Sequence, residues 1–389
     1  MDKLAIITFV LVGFYSVGLL ILRWGIVRYQ QSFRRSPSGV MPTVSVVVSL
    51  HNEASNIPGL LTALLAQHYP GNRIEFILVN DRSTDATGTL LQKWAHRDSR
   101  IRYIDISQTP AGIAPKKYAL SQAIAHANGE IILQTDADGH PSPNWVREMV
   151  SFFTPEVGVV LGYAPYFQQP PYHKLFHRLL ALEYCSIAGI ALATAAWQQP
   201  ATAVGTNLAY RREVFEAING YGNYWHIPSG DDDLFVQEVR RRTQWRFAFA
   251  TTPGSFVWNA PPTHFRQFYH QRLRFASKGF LYSPTITAAL IGFYLMNVFL
   301  FTGSIASLWH TATFPLWLMS LLFKIVGEGI FMYTVCGKLQ QRSLMHVFPL
   351  AALLHIPYVI YFGLAAQFST YRWKDNTGKG SLLYRRSNN

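Results

Sequence analysis

Apolar residues in this chain are distributed in two ways, as long runs near both ends and as short, regularly punctuated runs between them. Residues 4–22, 286–308 and 347–368 contain no Asp, Glu, Lys or Arg, and residues 314–335 contain only Lys324 and Glu328. A helix needs about 20 apolar residues to cross a bilayer, so each run predicts a spanning helix. The first run is followed by Arg23, Arg28, Arg34 and Arg35 rather than by a small-residue cleavage site, which predicts a retained anchor and basic linker over residues 1–39. The last three runs define a helical region over 284–370, followed by a basic tail, 371–389. Lys324 and Glu328, four residues apart, are expected to face each other as a structural pair.

Between the long runs the period changes. Residues 43–50, 74–79, 101–106 and 131–133 are short β-branched or aliphatic runs that predict buried strands. They alternate with helical spacing: Leu60, Leu61, Leu64 and Leu65, then a stretch to about residue 97, then about 117–127. Strand–helix alternation predicts an α/β domain over 40–283, with a parallel sheet covered by helices on both faces. Residues 176–197 are alanine-rich and nearly long enough to span. A crossing there would place Asp136 and Asp232 on opposite sides of the membrane, so the stretch is expected to lie in the interface or against the domain.

Composition narrows the class. Hydrophobic residues make up 49% of the chain and charged residues 14%, with a net charge of +13. In a membrane protein such a charge points to anionic headgroups. No basic stripe interleaves with aromatics, so nucleic acid is not an expected partner. Cys185 and Cys336 have no metal-ligand spacing and fit a reduced compartment. The arginines after the first run place the α/β domain in the cytoplasm, making this an integral membrane protein, of the inner membrane if the cell has two. Simple counting then puts the tail outside, whereas Arg372, Lys374, Lys379, Arg385 and Arg386 argue that it stays inside. A re-entrant hairpin broken at Pro357, or another miscounted segment, would reconcile the two.

Candidate chemistry gathers at strand ends, where α/β sheets bind ligands. The 131–133 strand runs into Thr135-Asp-Ala-Asp138, and strand alternation would put Asp136 and Asp138 on one face, able to reach one hard cation. A solvated Asp-rich loop would look the same in isolation. Residues 50–53 and Asp81 fall at similar ends. Thr263 is expected to cap a helix over about 264–278, on which Gln271, Arg274 and Phe275 share a face while Arg272 points elsewhere, toward lipid headgroups. Gly230-Asp-Asp-Asp-Leu234 precedes a helical pattern. Three adjacent acids exceed what a cap needs, and their repulsion should raise the proton affinity of at least one.

Val46-Val-Val-Ser-Leu-His-Asn-Glu53, Val79-Asn-Asp-Arg-Ser-Thr-Asp85 and Thr135-Asp-Ala-Asp138 resemble the nucleotide-sugar half of glycosyltransferase family 2, the inverting GT-A-fold enzymes. Gly205-Thr-Asn-Leu-Ala-Tyr210, Gly230-Asp-Asp-Asp-Leu234 and Gln271-Arg-Leu-Arg-Phe275 resemble its acceptor half. The resemblance implies a GT-A domain with transmembrane helices and transfer of a hexose from a nucleotide sugar, with UDP the favoured nucleotide. The acceptor would be a lipid or another hydrophobic alcohol, as in ceramide-type glucosyltransferases, and Mg²⁺ or Mn²⁺ would assist. It further implies that Leu50, Asn52, Glu53 and Asp81 contact the nucleotide and that Asp136 lies by the ribose and diphosphate. Asp138 would hold the metal, with Lys116 or Lys117 facing the donor. Asp232, with Asp231 beside it, would be the base, Asp233 being one residue away in an all-Asp run. Gln271 and Arg274 would meet the diphosphate. Phe275 stands where the family has Trp. A processive polysaccharide synthase is the runner-up. A non-catalytic nucleotide-sugar-binding membrane component is disfavoured by the second acid cluster, and a nucleotidyltransferase by the lack of a Gly-rich phosphate loop after the first strand.

Overall fold

The computed structural model describes residues 2–32, 35–36, 41–373 and 376–380; Arg34 of the N-terminal cluster and Lys374, Arg385 and Arg386 of the tail lie outside the described residues. The chain divides into an α/β unit, Tyr29–Phe167 with Ile187–Pro261, and a helical unit, Met1–Arg28 with Gln168–Ser186 and Pro262–Asn389. After α1 (Asp2–Ser32) the α/β unit runs β1 (Val44–Leu50), α2 (Ile57–Leu65), β2 (Ile74–Asp81), α3 (Thr87–Ala95), β3 (Ile101–Ile106), α4 (Pro115–Ala125) and β4 (Ile131–Gln134). It continues with β5 (His140–Pro141), α5 (Trp145–Val150) and β6 (Val157–Leu161). The long helix α6 (Leu175–Ala196) follows, its first half in the helical unit and its second in the α/β unit. Then come β7 (Leu208–Arg211), α7 (Arg212–Ala217), α8 (Asp233–Arg242), β8 (Arg246–Phe249) and β9 (Val257–Trp258).

Seven strands form one sheet in the order β3-β2-β1-β4-β7-β6-β8. The first four are parallel, as the strand–helix alternation predicts. The sheet as a whole is mixed, because β7 runs antiparallel to both β4 and β6. That corrects the all-parallel expectation, and the reversal has a consequence for function. Antiparallel pairing of Leu208 with Gln134 brings the start of β7, and Gly205 and Thr206 just before it, to the carboxyl end of β4. In β1 every residue but Ser49 is buried, as a strand covered on both faces requires. Helix α2 buries Ile57, Leu60, Leu61 and Leu64 at helical spacing, each worth about 1.5–3 kcal/mol of transfer free energy.

The helical unit contains most of α1, α9 (Phe265–Ala276), α10 (Pro284–Ala306), α11 (Phe314–Lys338), α12 (Phe348–Phe368) and a hairpin of β10 (Thr370–Trp373) with β11 (Asn376–Lys379). Among the described residues five helices are long and apolar enough to cross a membrane: α1, α6, α10, α11 and a stretch ending in α12. Small residues let them approach closely, since a Cβ on Gly303 would lie 2.0 Å from the Trp317 ring. The Lys324–Glu328 pair forms at 2.7 Å, and Tyr15 adds a second donor to Glu328 at 2.9 Å. Helix α12 continues through Pro357, so no re-entrant hairpin breaks there.

Two expectations for α9 fail. Thr263 is not its cap: the helix begins at Phe265, and the Thr263 N–H instead donates to Gln267 Oε1 at 3.1 Å. Arg272 does not face lipid headgroups either. It is 1% exposed, stacks on Phe268 and Phe275, and pairs with Glu183 of α6 at 2.6 Å. Arg272→Ala should therefore destabilise the helical unit by on the order of 3 kcal/mol, because it leaves Glu183 without its cation. The detergent-solubilised variant should melt earlier, and adding Glu183→Gln should recover part of the loss. An unchanged melting temperature for Arg272→Ala would contradict the pairing.

Candidate active site

The loops after β1 and β2 are locked together. Asn52 and Arg82 both adopt left-handed backbone, with φ of 54° and 56°. Asn52 Oδ1 accepts the Thr84 N–H at 2.8 Å, and the Asn52 N–H donates to Ser83 Oγ at 3.0 Å. Asp85 accepts from the Ala54 N–H at 3.1 Å and from the Thr87 N–H at 2.9 Å, where α3 begins. Asp81 ends β2 with its side chain buried, and Arg82 grips it through Nε at 2.7 Å and Nη2 at 3.3 Å. Its carboxylate thus makes an ion pair rather than capping the next helix. Leu50 points into the core, leaving only its backbone for a ligand, and Glu53 is mostly buried and accepts from Asn56 Nδ2 at 2.5 Å.

Strand β4 stops at Gln134, so Asp136 and Asp138 lie in the turn beyond it and strand alternation does not place them on a common face. They have different surroundings. Asp138 is exposed, whereas Asp136 is partly buried, accepting from Lys116 Nζ at 2.8 Å and from Thr206 Oγ1 at 2.6 Å. The same ammonium lies 2.9 Å from Asp231 Oδ2, so one lysine joins the turn after β4 to the acidic run before α8. Gln134 Nε2 completes Asp231 with a donation at 3.0 Å. The neighbouring Lys117 is fully buried and donates to the carbonyls of Tyr224 at 2.6 Å and Ser229 at 3.2 Å, supporting the approach to that run from below. Of the two lysines, Lys116 sits among the acids and Lys117 is structural.

The acidic run starts at Gly230, whose φ of +87° favours glycine and whose added Cβ would lie 2.5 Å from Leu234. Asp232 is the N-cap of α8, with Oδ1 accepting the Asp233 N–H at 2.7 Å and Oδ2 accepting the Gly205 N–H at 2.9 Å. Asp233 is 4% exposed and accepts the Leu234 N–H at 2.7 Å. The expected upward shift from mutual repulsion does not hold for Asp231. Burial pushes that group up, but Lys116, with Lys117 behind it, outweighs burial and lowers its pKa to about 2. Burial likewise raises Asp136, and Lys116 and Thr206 bring it below the usual carboxylate range. Gln271 and Arg274 belong to the helical unit, both half-buried on α9, with the Arg274 guanidinium 5.5 Å from the Phe275 ring centre. Sequence reasoning missed Thr206 and Gln134. Thr206 lies in the Gly205-Thr-Asn motif, which pointed to the right loop without assigning the residue a task.

Residues 45–218 match the family model described as glycosyl transferase family 2. This stretch is a family 2 glycosyltransferase domain. The probable glycosyltransferase YdaM of Bacillus subtilis is 28% identical over 239 residues, which cover 61% of this chain and 55% of YdaM. The beta-monoglucosyldiacylglycerol synthase of Synechocystis is 25% identical over 252 residues, covering 61% of this chain and 48% of the synthase. The match thus spans about half the length of these curated relatives. The mannosyltransferase PcManGT from Pyrobaculum calidifontis, solved in complex with GDP-Man and Mn²⁺, aligns over 91% of this chain and 99% of its own with a TM-score of 0.55 and 18% identity. At that identity the likeness shows the fold, which is GT-A. The family match ends at residue 218, before the acidic run and before α9.

The Lys116 junction also constrains the path of the chain. Asp136 and Asp231 meet on one ammonium, so an even number of membrane crossings separates them. Among the described residues α6 is the one helix between them that is long and apolar enough to cross, so it does not span. Because the Asp231 pKa lies below its ordinary 3.8, the stability it contributes is complete above that value and is lost as pH falls toward about 2. Removing the cation in Lys116→Met should let the carboxyl protonate at higher pH. The acid-unfolding midpoint of the variant, followed by circular dichroism, should move up relative to the parent. An unchanged midpoint would show that Lys116 does not hold the junction.

Proposed function

We propose that the chain is a membrane-bound inverting hexosyltransferase. It moves one sugar from a nucleotide donor, UDP-linked before GDP-linked, to the hydroxyl of a lipid at the cytoplasmic face of the membrane. The observation that carries this reading is the Lys116 junction, because it places the acid by the expected diphosphate site, Asp136, beside the run holding the expected base, Asp232. The printed name of the Synechocystis relative, a glucolipid synthase, supports a lipid acceptor. The basic residues after the first apolar run support a cytoplasmic site.

On this reading the loops at residues 50–53 and 81–85 form the wall for base and ribose, with Asp81 the carboxylate nearest them. Asp136 and Lys116 face the ribose and diphosphate. Among the described residues no group of three or more His, Cys, Asp or Glu could hold a metal. The exposed Asp138 with Asp136 nearby does suit a magnesium or manganese ion whose remaining ligands are water and diphosphate oxygens. Such an ion would neutralise charge on the departing diphosphate. Asp138→Asn should therefore weaken donor binding severely and make it insensitive to chelator, as measured by calorimetric titration with UDP-sugar. Parent affinity unchanged in excess chelator would exclude metal assistance.

Inversion requires the acceptor oxygen to attack the anomeric carbon opposite the diphosphate in one displacement. A hydroxyl is a poor nucleophile at neutral pH, so a carboxylate must take its proton as the bond forms. Asp232 is the assigned base: two backbone N–H groups orient its carboxylate, which is less enclosed than Asp231 or Asp233. Asp232→Asn should reduce turnover by about 10²–10⁴-fold with little change in donor affinity. The product should carry the anomeric configuration opposite to the donor's, readable from the anomeric proton coupling. Retention would exclude single displacement. Full activity in Asp232→Asn with loss in Asp233→Asn would move the base by one residue.

A further inference from the structure

Side-chain contacts within the helical unit fix the relative level of its helices along a common axis. Val12 of α1 packs with Met296 and Leu300 of α10, and Tyr15 with Phe293, so α1 and α10 run in opposite directions. Phe9 meets Phe323, Tyr15 meets Glu328 and Arg23 meets Thr334, so α11 runs parallel to α1. One end of this three-helix set therefore carries the C-terminus of α1, the N-terminus of α10 and the C-terminus of α11.

Helix α12 does not follow this alternation. It begins directly after the 3-10 turn Arg342–Val347, where Arg342 stacks over Tyr333 of α11 at 5.3 Å and Gln341 N–H donates to Cys336 O at 2.7 Å. Its finish is tied to the same end: Gln367 Nε2 donates to the carbonyl of Ala276, just ahead of α10, at 2.8 Å. The hairpin beyond it is held there too, the Arg372 N–H donating to His270 of α9 at 3.4 Å. Between those ends, His355 reaches only the level of Phe293 and Glu328, which is also the level of Tyr15. A 21-residue helix is about 31 Å long, close to the hydrocarbon thickness, so a spanning α12 would finish that far from where it began. Instead both of its ends lie at one end of the set. Its outer face is apolar: Leu350, Leu353, Leu354, Tyr361 and Leu364 are 40–55% exposed and recur at helical spacing, while Ala352, Ile356, Phe362 and Ala366 are buried on the other side.

We propose that α12 is an interfacial helix lying along one leaflet, its outer face in the acyl chains, and that the exposed Arg372 and Lys379 of the hairpin rest on anionic lipid headgroups beside it. Three helices, α1, α10 and α11, then cross the membrane. The hairpin of β10 with β11 then lies on the side on which α1 ends, so the helix count agrees with the basic residues Arg372 and Lys379. The occupant is a lipid surface because the exposed stripe is continuous and apolar, suited to acyl chains, and is followed immediately by exposed cations, suited to anionic headgroups. This inference is independent of the transferase reading.

The test uses the full chain in sealed membrane vesicles, with single cysteines labelled by an impermeant maleimide and the parent chain, whose Cys185 and Cys336 are buried, as background. Arg342→Cys and Lys379→Cys should label from the same face, and His310→Cys, in the α10–α11 link, from the opposite one. Labelling of Lys379→Cys together with His310→Cys would overturn the proposal. Spin labels at Leu350→Cys and Leu364→Cys give a second readout that does not depend on sidedness. Collision accessibility should place both at nearly the same depth, whereas a separation approaching about 21 Å, the rise of 14 helical residues, would show a spanning helix. Vesicles with and without anionic lipid should differ in protection of Lys379→Cys from the maleimide; no difference would remove the headgroup contact from the proposal.

Discussion

A single ammonium held between a buried and a partly buried carboxylate is the constraint on which the candidate site depends. Lys116 is within 2.9 Å of both Asp136 and Asp231, which come from stretches of chain about a hundred residues apart. Burying an unpaired carboxylate costs several kcal/mol, so that cation stabilises Asp231, which is 7% exposed, in its place. The arrangement also requires the reversed strand β7. Only an antiparallel neighbour of β4 delivers Thr206 to Asp136 and the Gly205 N–H to Asp232 at the same end of the sheet. The mixed sheet of the GT-A fold is thus tied to its chemistry through a handful of hydrogen bonds.

The same rule governs the helical unit in a drier setting. Lys324, Glu328 and Tyr15 satisfy one another among apolar helices, and Glu183 accepts from Tyr358 at 2.5 Å while pairing with Arg272. Ionisable groups at such positions are tolerated only when partnered, and each pair here also joins helices distant in sequence. These pairs fix the level of one helix against another, and that is what allows the contacts at the two ends of α12 to be read as both lying at one end of the set.

Much of this was legible from sequence. The short β-branched and aliphatic runs at β1 to β4, the helical spacing of α2 and the long uncharged runs carry their structure in local pattern, because burial on two faces or in lipid dictates composition residue by residue. What pattern could not carry was direction and partnership. Residues 208–211 read as a strand in either orientation. Lys116 and Lys117 are adjacent and chemically alike, and only the helix they open decides which reaches the acids and which reaches two backbone carbonyls. Arg272 looked lipid-facing because its partner, Glu183, lies some ninety residues away. Uniform apolarity marked residues 347–368 as membrane-associated, yet it holds no record of whether the helix stands or lies.

On the proposed reading this glycosyltransferase domain places one sugar on a membrane lipid. Mass spectrometry of lipid extracts from cells with and without the gene tests it most directly. One lipid class should gain the mass of a single hexose when the gene is present and lose it when the gene is removed. A lipid profile identical in the two strains, alongside a nucleotide-sugar-dependent polymer found only with the gene, would contradict it.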